Sequence, residues 1–560
     1  MNRRSYTEKR VENRRRAPPT QSGDRYSGVR SNIDYDVKRH LEKSAKNAEN
    51  RDLFDTVEAK HEFIEGVLAE FSAKEAVHLT TGTYQSTWVQ RLLKQAGPVQ
   101  VHQWAVKLWT DIGAILRNQS GSPILEHIID VFTGLLGKNA YKPAPLSLLE
   151  SLVELIMDRP SYFMSHQNSS YVVKRLIPIM AEHFPEQLKQ FQQGLLSGRG
   201  EDDDVERSVL TFCMSPSASK VIAACVTHSD VMLRDIFEHI DELVLHDSGS
   251  IVVEALCTAG YSSEVSKRID IAGIASHHAG CFVVKAILKS AKSRKVIKST
   301  IMAVLTNFER IYSSGGARFD LCKVVCEAAG KFRIKSAQKE IADFFRSRFS
   351  ARDNMASAIL ATGRKKGRML ASDKGSYIVQ ALLSFQYKNF EELFQSFANM
   401  ESEHLLRMAV HFNASFAVEK FFKCQIESSV PNSVVRSVID KLQPKMVGLI
   451  VDSKGSRIFE AVWERMNIAQ RDQTMKQLTE NDSMILDSRV GVIVARKIGY
   501  GDYRNNPNEW RNKQNKGKRI AEALERMEDE VEVEISQRKR KAQQGKYSKV
   551  QRVYSNKSEE

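Results

Sequence analysis

The pattern in this chain that could do chemistry is a serine followed four residues later by glutamate or glutamine, set in a segment of otherwise apolar helical spacing. It occurs as Ser86/Gln90, Ser122/Glu126, Ser250/Glu254, Ser376/Gln380, Ser415/Glu419 and Ser456/Glu460. Residues i and i+4 share one face of a helix, so each pair sets a hydroxyl beside a carboxylate or amide. The residue after the serine is flat or long in Tyr377, Phe416 and Arg457, while Ile458 and Phe459 exemplify apolar neighbours that turn inward. A merely solvated face has no reason to keep serine and an acid or amide at one fixed offset. The triplet of first, second and fifth frame positions is therefore expected to face outward, as one rung of a polar ladder.

The frame that carries the triplet returns about eleven times, from "QSTWVQRLL" at 85 to "VGVIVARKI" at 490, at intervals of 31 to 54 residues. A helical unit repeated in this way cannot bury its apolar face alone, so neighbouring units must stack. Between about 50 and 500, segments such as "LFDTVEAKHEFIEGVLAEF" place apolar residues three and four apart, and alternating strand patterns are scarce. The fold class is all-α, an α-solenoid. Residues 1–45, rich in Arg, Ser and Asn, read as a disordered basic arm, 46–505 as the repeat body, and 506–560 as a charged tail, partly helical or disordered. "SGRGEDDDVERS" from 197 reads as a surface loop.

The net charge of +15 is concentrated at the ends. Residues 1–30 hold nine Lys/Arg against three acids, and 501–560 hold fifteen against eleven. Such arms attract nucleic acid without reading its sequence, so any base selectivity must come from the near-neutral body. No apolar run approaches the roughly 18 residues of a membrane span, and no apolar segment follows the basic N-terminus, which points to a chain that stays inside the cell. The seven cysteines, an odd number in apolar surroundings, read as reduced buried thiols. Cys322 and Cys326 stand one turn apart without a set to complete a zinc site, and His277-His278 reads as a loop or capping pair. No phosphate-binding glycine loop, His-Glu-x-x-His or Gly-x-Ser-x-Gly is present, so the chain is read as a non-enzyme without metal or cofactor.

The repeated triplet resembles the Pumilio (PUF) family, in which the second helix of each three-helix repeat presents one triplet to one RNA base. The resemblance covers about residues 50 to 500 and implies a curved superhelix of about eleven repeats, monomeric, that binds single-stranded RNA. It assigns Ser/Glu pairs to guanine, whose N1–H and N2–H₂ a carboxylate accepts, and Ser/Gln pairs to adenine. It assigns base stacking to Tyr171, Phe282, Tyr377, Phe416 and Arg457. Lys174, Lys220, Lys285 and Lys323, with Arg364, Lys365, Lys366 and Arg368, are candidates for holding the RNA backbone. Ser170/Lys174, Ser219/Ala223, Cys281/Lys285, Cys322/Cys326 and Gly491/Ala495 match no base reader, and Thr87, Pro123, Ile251 and Val492 stack poorly.

The repeat number, degenerate middle rungs and basic tails are similar to the nucleolar protein nine family of Pumilio-like proteins. That implies a nucleolar factor of small-subunit ribosome assembly, with a nuclear-import role for the basic run from Arg538. It would bind pre-rRNA near the 3′ end of the small-subunit rRNA, beside other assembly factors, and regulate its cleavage by a separate endonuclease. Antiparallel binding would make Ser456, Ser415 and Ser376 read 5′-G-G-A. The alternatives are another nucleolar Pumilio-like nucleic-acid-binding protein and a HEAT- or armadillo-type protein-interaction scaffold.

Overall fold

A computed structural model of the chain describes residues 35–136, 143–196, 208–349, 354–362 and 371–515, and among them there are helices and no strands. They fall into two compact units, Met1–Glu238 and His239–Glu560. The acidic segment at 197–207 expected to be a surface loop, the basic run Arg364 to Arg368 and the run from Arg538 lie outside the described residues.

The frame segments form one row of helices in each unit. In the first unit the row is α1 (Tyr35–Glu49), α2 (Gln85–Gln95), α3 (Ser122–Leu136), α4 (Ser169–His183) and α5 (Ala218–Cys225). In the second it is α6 (Gly249–Leu256), α7 (Gly280–Ser290), α8 (Gly316–Lys331), α9 (Asp373–Leu382), α10 (Ala414–Lys423), α11 (Gly455–Arg465) and α12 (Arg489–Lys497). Within each unit every row helix packs on the next. From α2 onward each is preceded by a short helix and followed by a helix of the opposite layer, as Met446–Val451 and Ile468–Glu480 flank α11. This is the stacked three-helix repeat that the sequence pattern requires, and the fold is an α-solenoid.

The small residue that opens most frames has a steric cause. The chain turns so sharply from short helix to row helix that a Cβ on Gly121, Gly249, Gly280, Gly455 or Gly491 would stand 2.6–2.9 Å from the carbonyl oxygen six residues earlier. Ser169 occupies the same place in α4 and donates its hydroxyl to that carbonyl, Phe163 O, at 2.6 Å. Three residues before the small residue sits a side chain that accepts from the first free N–H groups of the row helix. Asn118, Asp452, Ser215, Ser372 and Ser488 do this with oxygen. His166, His246, His277 and His411 do it with Nδ1. Each satisfies a donor that the helix leaves orphaned. The capping reading of His277 therefore holds.

Both ends of the body extend past the sequence-based limits. Residues 35–45 of α1 fall in the segment expected to be disordered, yet they are helical because Leu41, Ala45 and Ala48 are buried in an amphipathic stripe against α2. At the other end a helix at 507–515 buries Trp510, which donates Nε1–H to Ile498 O at 3.2 Å and meets Tyr503 edge-on at 5.2 Å. All seven cysteines are buried, and burial pushes the thiols of Cys322 and Cys326 well above their usual range.

Gly280→Ala is expected to cost about 1–3 kcal/mol of stability through overpacking at the corner. Trp510→Ala is expected to cost about 3–5 kcal/mol as a large-to-small core change. Denaturant melts of the whole chain check both; a neutral Trp510→Ala would return 507–515 to the tail.

Candidate nucleic-acid interface

The triplet does not face outward as a whole. On α2, α3, α4, α6, α9 and α11 the first position is buried, the second exposed, the next two buried and the fifth partly or fully exposed. Ser86, Ser122, Ser170, Ser250, Ser376, Ser415 and Ser456 are at most 7% exposed, and Cys281 and Cys322 are fully buried. The reason is the corner itself, which tucks the residue after the small one into the stack. Ser86, Ser170, Ser250 and Ser456 donate to the carbonyl three residues back. Ser122 and Ser376 instead donate across to the following repeat, at Asn168 O (2.9 Å) and Asn413 O (2.6 Å). Ser376 Oγ also accepts from Gln380 Nε2 at 3.1 Å, so the first position orients the fifth.

The fifth positions Gln90, Glu126, Glu254, Gln380, Glu419 and Glu460 are all partly buried on the row face. Glu419 bonds Lys423 on its own helix at 2.5 Å, while Glu126 and Glu460 each meet a cation on the following row helix. Burial raises Glu254 above the usual carboxylate range, opposed by Lys285 and Lys289. The second positions Tyr171, Phe282 and Tyr377 are exposed, as is Arg457, and Phe416 is half-exposed.

Those aromatic faces are occupied by cations in the free chain. Lys220 lies 4.4 Å over Tyr171 and bonds its hydroxyl, Lys285 lies 3.9 Å over Phe282, Lys323 lies 4.5 Å over Tyr377, and Arg457 lies 5.6 Å from Phe416. Three of the lysines expected on an RNA backbone thus fill slots that a base would enter; Lys174 stands exposed on α4. The weak rung on α8 has a physical basis, since Cys322 and Cys326 are both sequestered in the stack. Beside it lies an open cleft of about 890 Å³ lined by Lys289, Lys323, Tyr377, Gln380 and Lys420.

The last rung is out of register with the frame taken from sequence. Gly491, capped by Ser488 and pressed against Ile485 O, is the small residue and not the first rung position. The rung is Val492, Ile493 and Arg496, with Ile493 and Arg496 exposed and Ala495 buried. The repeated three-residue interval from cap to small residue fixes this shift. A cap-first alignment of the sequence would have found it.

The NOP9-like PUF repeat domain matches residues 262–492. The chain is similar to the Pumilio-repeat proteins named nucleolar protein 9. Nucleolar protein 9 of Candida glabrata is 20% identical over 566 residues, 82% of this chain and 83% of that relative. Nucleolar protein 9 of Arthroderma gypseum is 24% identical over 164 residues, 29% of this chain and 23% of the relative. The solved structure of APUM23-GGAGUUGACGG superposes with a TM-score of 0.68 over 86% of this chain and 99% of that one, at 16% identity. The Pumilio-repeat row and its three-helix units are thus a shared architecture.

Two measurements probe the site's scaffold. Ser376→Ala removes a buried inter-repeat bond and is expected to lower stability by about 1 kcal/mol. The imidazoles of His102, His277 and His404 are held below the usual 6.5, in each case chiefly by burial. A depressed histidine contributes stability above the unfolded pKa and loses it as pH falls through the folded one. Thermal midpoints should therefore be flat above pH 6.5 and fall below it, with a smaller fall in His404→Gln.

Proposed function

We propose that this chain is an RNA-binding factor of small-subunit ribosome assembly whose second unit reads single-stranded RNA base by base. The observation that carries the proposal is the run of three consecutive complete rungs on α9, α10 and α11. There Gln380, Glu419 and Glu460 stand at the fifth positions, beside Tyr377, Phe416 and Arg457 at the second. A carboxylate accepts from guanine N1–H and N2–H₂, and a glutamine amide can both donate to and accept from adenine. A flat ring or guanidinium beside each edge reader gives the base a stacking surface, worth about 1–3 kcal/mol per base in single-strand binders.

Read antiparallel, these rungs select 5′-G-G-A. The RNA sequences of the APUM23 structures, GGAGUUGACGG, GGAUUUGACGG and GGAAUUGACGG, begin with the same triplet. The relatives' name, nucleolar protein 9, supports a nucleolar site of action. The finer reading is that the protein covers pre-rRNA near the 3′ end of the small-subunit rRNA and governs its cleavage by a separate endonuclease. The basic tails, which hold most of the +15, add sequence-independent affinity.

Glu419→Ala is expected to weaken a GGA-led 11-nucleotide RNA by roughly ten- to a hundredfold, about 1–3 kcal/mol, and to relax the choice at one position. Tyr377→Ala should weaken binding with little change of preference. Fluorescence anisotropy at fixed salt measures both. Equal losses for every RNA from Glu419→Ala would remove base reading, and no RNA binding at all would favour a protein-interaction scaffold.

A further inference from the structure

The row carries a recurring contact that the triplet does not include. Counting the small residue as zero, a glutamate at position five meets a cation at position six of the following row helix wherever one is present. Glu126 lies 3.5 Å from Arg175, and Glu460 Oε1 lies 2.6 Å from Lys497 Nζ. At α1, whose burial pattern sets Glu49 in the fifth place, Arg91 on α2 makes a two-pronged ion pair with Glu49. The partners are 42, 49 and 37 residues apart, one repeat in each case. Where position six of the following helix is alanine, as Ala286 is for Glu254 and Ala461 for Glu419, this contact cannot form. The Lys497 offset emerges only in the corrected register of α12.

We propose that the position-six cation of the following repeat is a specificity-determining residue that relaxes the choice of guanine over adenine at Glu126 and Glu460. The proposal rests on the base-reading function above. A bare carboxylate offers two oxygens to guanine N1–H and N2–H₂ and repels the N1 lone pair of adenine. The same carboxylate joined to an ammonium or guanidinium has one oxygen engaged and offers a donor beside it. The donor can satisfy adenine N1, so the rung accepts either purine with a smaller difference. Lys497 is 60% and Glu460 35% exposed, so the pair is cheap to rearrange and tunes the choice without abolishing it.

The test uses the full chain, fluorescent GGAUUUGACGG and its single-base variants at every position, and anisotropy at fixed salt. Glu460→Gln first locates the RNA position whose base preference it changes. Lys497→Met, which keeps the apolar stem and removes the charge, should then raise guanine-over-adenine discrimination at that position by roughly two- to fivefold, the scale of an exposed ion pair. It should leave the position governed by Glu419 unchanged. Discrimination that stays constant or falls in Lys497→Met overturns the proposal. So does an equal loss for all RNAs, which makes Lys497 a phosphate contact. If Glu460→Gln alters no position while Glu419→Gln alters one, the role of the position-six cation fails and the base-reading function stands. If neither alters any, the function itself fails.

Discussion

The structure depends on one tight corner. Where a short helix hands the chain to a row helix, as at Gly121, Gly249, Gly280, Gly455 and Gly491, the backbone passes so close to the carbonyl six residues behind that a glycine, or a small side chain bonded to that carbonyl, serves best there. A side chain three residues earlier ties down the N–H groups the turn would leave without partners. The corner fixes the rotation of the row helix about its axis. Rotation decides which residues enter the stack and which reach the surface, so the chemistry of every rung is set at a place where no ligand goes.

The repeat interval and the helical period were legible in the sequence, because stacking units must each bury a stripe of the same width. The second and fifth positions were also legible, since Tyr377 and Glu419 sit one and four residues after a serine and no packing demand explains their types. What the pattern hid was the serine's place. A hydroxyl beside a carboxylate suggests a shared surface, yet Ser376 spends its proton on Asn413 O in the next repeat. Serine suits this position because it is small and can bond a carbonyl, needs that a sequence motif does not separate from ligand binding.

Two errors of extent share a cause. α1 is polar enough to read like the Arg- and Ser-rich sequence before it, and its narrow stripe of Leu41, Ala45 and Ala48 finds a partner only when α2 is in place. Trp510 likewise stands in a polar segment and gains its role from Tyr503 and Ile498. In the last frame, "VGVIVARKI" offers six small or β-branched residues in succession, and apolar spacing alone cannot choose between two registers one residue apart. The cap decides, because Ser488 must accept from Gly491 N–H.

The division between buried first positions and exposed second and fifth ones has an evolutionary consequence. A letter of the row can be rewritten by changing surface atoms alone, so new preferences are reachable through single substitutions that leave folding nearly untouched. The corner is more constrained, since it admits glycine, alanine or a serine bonded to the facing carbonyl and crowds anything larger. Lineages that inherit this scaffold are therefore free to diverge in what they recognise while remaining bound to a common spelling frame.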